Sequence, residues 1–106
     1  MLKQEIKVKM RILAIEKELQ TIDWANEAMT LKEEAQAVYR LMLTDKLREI
    51  YFTENKQAVL LLECENKDEA KQLLSQLPLV IKGWIDFDLT ELRPYTGFSR
   101  FMEKEE

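Results

Sequence analysis

Three groups in the chain have side chains suited to proton transfer on an acidic substrate. Arg48, Glu49 and Tyr51 alternate with apolar residues in LREIYFT, Glu63 ends the run AVLLLE, and Asp86 and Asp88 alternate with Ile85, Phe87 and Leu89 in WIDFDL. Moving a proton between carbons of an unsaturated lactone needs a base and a donor for the developing enolate oxygen. A carboxylate lifted by a dry setting, a tyrosine hydroxyl and a bidentate arginine meet those needs. On this reading Glu63 is the base, Tyr51 the donor and Arg48 the binder of the substrate anion. Each residue also has a plainer role. Charges protect strand edges, and tyrosine packs with its hydroxyl wet. Glu63 sits where a strand end meets water. Asp86 and Asp88 read as edge protection, because two carboxylates alone leave Mg²⁺ or Ca²⁺ mostly hydrated.

Composition narrows the chemistry. The 106 residues contain no histidine, which removes the commonest general base and metal ligand, so neither a metal nor another cofactor is expected. The lone cysteine, Cys64, lies in an apolar run and forms no intrachain disulfide. It reads as a buried, inert thiol in a reducing, cytoplasmic setting. A net charge of −4 disfavours nucleic acid as a partner, and the local basic run Lys3, Lys7, Lys9, Arg11 is broken by Glu5. No apolar run approaches a membrane span.

The elements that must position these groups follow from periodicity. Ile6, Val8, Met10, Ile12 and Ala14 recur at period two, and the opposite parity turns apolar at Leu13 and Ile15. Thr30-Leu-Lys-Glu33 reads as a capping box opening a helix whose apolar face is Leu31, Ala35, Val38 and Met42. Residues 47–53 and 57–65 read as a hairpin around Glu54-Asn-Lys56. Asn66-Lys-Asp-Glu69 opens a second helix through Ala70, Leu73, Leu74 and Leu77, which Pro78 should stop. Trp84 to Leu92 is the last strand. The order β-α-β-β-α-β predicts an α+β, ferredoxin-like fold: an antiparallel sheet with two helices on one face. Residues 10–92 form the domain. Residues 1–9 read as an extension into the first strand, with Met10 a possible natural start. Residues 93–106 form a tail too apolar to float, packing on its own domain or on a dimer partner.

In such a fold the first and third strands are central, yet Ile12–Ile15 and Val59–Leu62 are apolar on both parities. A half-covered antiparallel sheet alternates. The face away from the helices therefore needs a cover, and a second copy packed sheet to sheet supplies one.

The segments MRILAIEKE (10–18), LREIYF with the hairpin into AVLLLECE, LPLVIKGWIDFDL (77–89) and RPYTGFSRF (93–101) resemble small muconolactone isomerase-like and YCII-related proteins of the dimeric α+β barrel superfamily. The resemblance implies a ferredoxin-like protomer, a homodimer that often assembles further, and a cleft between sheet and helix for a small organic acid or lactone. YCII-related proteins are associated with a His-Asp pair, which this chain lacks, and a haem held by histidine is excluded. Two functions stay open: a cofactor-independent isomerase or small-metabolite-binding protein, and a non-catalytic homodimeric module.

Overall fold

The computed structural model describes residues 9–102. Strand β1 (Met10–Glu18) leads through a 3-10 turn (Trp24–Asn26) into helix α1 (Ala28–Leu43). Strands β2 (Leu47–Phe52) and β3 (Ala58–Cys64) form the expected hairpin. Helix α2 (Lys67–Leu74) and the short α3 (Pro78–Ile81) precede β4 (Ile85–Leu92), and a 3-10 turn (Gly97–Arg100) follows. The four strands lie in the order β2-β3-β1-β4, all antiparallel, so β1 and β3 are central and β2 and β4 are edges. The fold is α+β and ferredoxin-like, with the βαββαβ order read from the sequence.

The pleat divides each strand between two faces. Ile12 and Ala14 of β1, Leu60, Leu62 and Cys64 of β3, and Ile85 and Phe87 of β4 are buried. They form one core with Leu41 of α1, Ala70 and Leu74 of α2, Leu77, and Leu79 of α3. All the helices cover this side. The cysteine is buried as expected, and its burial raises the thiol above its ordinary pKa, which suits an inert core residue.

Local signals set the element ends. Asn66 Oδ1 accepts the Glu69 N–H at 2.8 Å, while Glu69 Oε1 accepts the Glu65 N–H at 2.7 Å. The Asn66 half of the capping box anticipated for the second helix is present, while Glu69 reaches one residue further back, to Glu65 and not to the cap N–H. Glu69 Oε2 also takes Lys46 Nζ at 2.7 Å, tying the start of α2 to the turn before β2. Asp45, just after α1, takes a left-handed φ of 66°, and Lys56 in the hairpin turn one of 63°. Both cost more for these residues than for glycine.

Three expectations need correction. Helix α1 begins at Ala28, so Thr30 lies inside it and caps nothing; the cap position is Glu27, without a side-chain bond. Its inward face carries Thr30, Glu34, Ala37, Val38, Leu41 and Met42, whereas Leu31 and Ala35 are exposed. Val38 and Met42 of the predicted face do point inward, but the buried stripe runs through Glu34, Ala37 and Leu41 and leaves Leu31 and Ala35 outside it. Pro78 does stop helical geometry at Leu77, which is extended with ψ 137°, but it then opens α3 from its first position. Proline's fixed φ and missing N–H suit that place. The strand positions Ile6 and Val8, and Lys3 and Lys7 of the basic run, lie outside the described residues.

The tail leaves β4 and folds on itself. Tyr95 and Phe98 meet edge to face at 4.8 Å, and Phe98 and Phe101 at 5.9 Å. None of these rings joins the core.

Candidate functional site on the open sheet face

The opposite parity lines a face that no helix covers. By register, Leu13 stands opposite Leu61, and Ile15 opposite Val59. Glu49 and Tyr51 of β2 flank Leu61 and Val59, while Thr90 and Asp88 of β4 flank Leu13 and Ile15. The centre is thus four half-buried aliphatic side chains. Charges surround it: Arg11 pairs with Glu63 at 3.7 Å, and Lys17 with Asp88 at 2.9 Å. The doubly apolar central strands inferred from sequence are present, and one of their faces is open.

The three proposed catalytic residues are separately engaged. Arg48 occupies the irregularity between Leu47 and Glu49 in β2 and lies 3.8 Å from Asp45. Tyr51 is 60% exposed, and its hydroxyl donates to Glu49 Oε1 at 2.5 Å. This bond, with the adjacent negative charge, holds the phenol above its ordinary pKa. Glu63 faces Arg11 across β1 and β3, and its own N–H donates to the Lys46 carbonyl. Tyr51 is opposite Val59, so four residues of β3 separate its position from Glu63, about 13 Å along the strand. Tyr51 and Glu63 share a face without meeting. On the edge strand β4, Asp88 is held by Lys17, and Asp86 Oδ1 accepts the N–H of Phe87.

A separate cleft of about 360 Å³ opens on the helix side between α2, α3 and β4. Leu74, Val80, Ile85 and Phe87 supply apolar lining, with Lys71 and Ser75 among the polar members. Arg48, Tyr51 and Glu63 do not line it. Among the described residues no group of three acidic or thiol side chains is arranged to hold a metal ion. None of the described helices is long and apolar enough to cross a membrane.

Glu34 is the perturbed carboxyl that the sequence reading passed over. It projects from the inward face of α1, and its Oε1 accepts the Leu79 N–H at 3.0 Å. Burial raises its pKa, the Leu79 bond opposes that rise, and the Glu16 charge adds to it. The signal was available in its spacing: a charge at 34 falls on the stripe of Val38, Leu41 and Met42 once the helix is phased from Ala28. Nearby in the chain order of contacts, Trp24 packs edge to face on Trp84 at 6.0 Å. The Trp pair is therefore packing between two loops.

No protein-family model matches the chain, and a search of curated proteins finds no match to it.

Proposed function

We propose that this chain is a homodimeric small-metabolite-binding module, assembled through its open sheet face and not catalytic. The observation that carries the reading is the separation of its parts. Apolar Leu13, Ile15, Val59 and Leu61 occupy the middle of the open face, while the reactive side chains there are engaged one by one with different neighbours. A second copy would bury the aliphatic centre. The rim carries both signs, Arg11 and Lys17 against Glu49, Glu63 and Asp88, so it can be complementary to itself. The helix-side cleft has a volume within the usual range for small ligands, about 300–1,000 Å³. Its lining suits a small molecule with an apolar body and polar groups of both signs, with Lys71 as its cation and Asp86 as its anion. The resemblance to muconolactone isomerase-like proteins is in keeping with both features.

Sedimentation of the full chain at micromolar concentration tests the assembly, with Leu61→Lys as the face variant. A dimer that the substitution converts to a folded monomer supports it; a monomeric parent chain sinks it. A thermal-shift screen of small carboxylic acids and lactones tests the cleft, with Lys71→Met expected to abolish any acid-dependent shift.

A second reading, a cofactor-independent isomerase, draws on the common face of Tyr51 and Glu63. Closing that face would exclude water from it. Glu63 would take a proton from one carbon and return it to another, Tyr51 would hydrogen-bond the enolate oxygen, and Arg48 would hold the substrate's anion, which requires a substrate that spans the roughly 13 Å between Tyr51 and Glu63. Turnover of a lactone that Glu63→Gln abolishes, with the fold intact, would decide for this reading over the first.

A further inference from the structure

Tyr95, Phe98 and Phe101 are 69%, 57% and 75% exposed, although each stacks on a neighbouring ring. Gly97 is buried beneath this stack, where a β-carbon would collide with the Tyr95 phenol ring. Glycine at 97 therefore permits a compact aromatic knob. The knob is attached next to the open face: Leu92, its last strand residue, sits on that face opposite Arg11 and is itself exposed. A preformed apolar group has little conformational freedom left to lose when it is buried.

We infer that this knob, Tyr95 to Phe101, is the second contact of the homodimer and packs on the other copy. The inference rests on the proposed sheet-face dimer and extends it. Area argues for the second copy as occupant. Four strands at ordinary spacing, each six to nine residues long, present a face of about 400–500 Å² in plan. A stable interface usually covers about 800 Å² on each partner. The sheet face alone falls short of this. Three large rings, each able to bury about 150–250 Å², make up the difference.

The test compares dimer dissociation constants by sedimentation for the full chain, Phe98→Ser/Phe101→Ser, the conservative Phe98→Leu/Phe101→Leu, and Leu61→Lys. The serine pair should raise the constant at least tenfold with an unchanged circular dichroism spectrum, because these rings lie outside the core. The leucine pair should recover most of the loss. A serine pair that dimerises like the parent, while Leu61→Lys is monomeric, overturns the knob contact and leaves the sheet dimer standing. The opposite pattern, in which Leu61→Lys dimerises like the parent, overturns the sheet face and with it the knob as a second contact of that dimer. A parent chain that is monomeric at about 100 μM, well above ordinary specific affinities, overturns both.

Discussion

Glu34 Oε1 accepts the backbone N–H of Leu79 at 3.0 Å, so a half-buried carboxylate on α1 supports the turn that Pro78 opens. The arrangement joins two elements that are 45 residues apart in the chain. The bond and the burial act in opposite directions on the charge, and burial is the larger effect.

Glu34 should therefore favour the folded state most when protonated. Its contribution is complete below the ordinary carboxyl value of 4.5 and is lost as pH rises through its raised folded value. Glu34→Gln keeps an acceptor for Leu79 without the charge, and should unfold no lower than the parent at pH 7. Glu34→Ala leaves the N–H unpaired and should lose roughly 1–2 kcal/mol. Urea unfolding at pH 4 and pH 7 measures both; a glutamine variant much less stable at pH 7 would contradict the burial argument.

Glu69 has the opposite sign. Hydrogen bonds from Lys46 and from the Glu65 N–H hold its carboxyl below the ordinary value. Its contribution is present above that value and disappears as pH falls through the lowered folded one. Glu69→Gln should flatten the acid limb of the stability profile. An unchanged acid limb would show that the pair is screened by solvent.

Asn66 supplies a cap whose loss should be measurable. Its side chain accepts from Glu69 N at 2.8 Å at the first turn of α2. Asn66→Ala should cost about 1 kcal/mol, or roughly 4–8 °C in a domain of this size. Differential scanning calorimetry checks it, and Asn66→Asp should restore most of the loss.

Tyr51 should titrate above an ordinary phenol because its hydroxyl donates to Glu49. Glu49→Gln should bring the transition back toward the normal value in an ultraviolet titration, read against Tyr51→Phe to isolate the signal. If the two titrations coincide, the hydrogen bond does not persist in solution.

The strands were legible because pleating leaves a period-two record, and Ile12 and Leu13 occupy opposite faces as that record requires. Asn66 was legible because its cap is local. Helix α1 was harder to read. Thr30 and Glu33 have the spacing of a capping box, yet the helix already runs through them from Ala28. The cap therefore lies three residues earlier, at Glu27, and the buried stripe takes in Glu34 and leaves Ala35 exposed, as packing against the sheet decides. That Arg48, Tyr51 and Glu63 do not converge could not be read, because strand register and the irregularity after Leu47 decide it. Those are set by pairing between segments and not by residue type.

The strand order has a consequence for the order of events in synthesis. Strand β1 is made first but finds both its neighbours late: β3 supplies Val59–Cys64 and β4 supplies Ile85–Leu92. The β2–β3 hairpin can close on its own sequence, whereas β1 must wait for pairings that span most of the chain. Such distant contacts slow folding. A nascent chain would thus carry a sticky strand, apolar on both sides at Ile12–Ile15, until β3 and β4 emerge. Chaperone dependence during translation should fall if β4 is moved ahead of β1 by circular permutation.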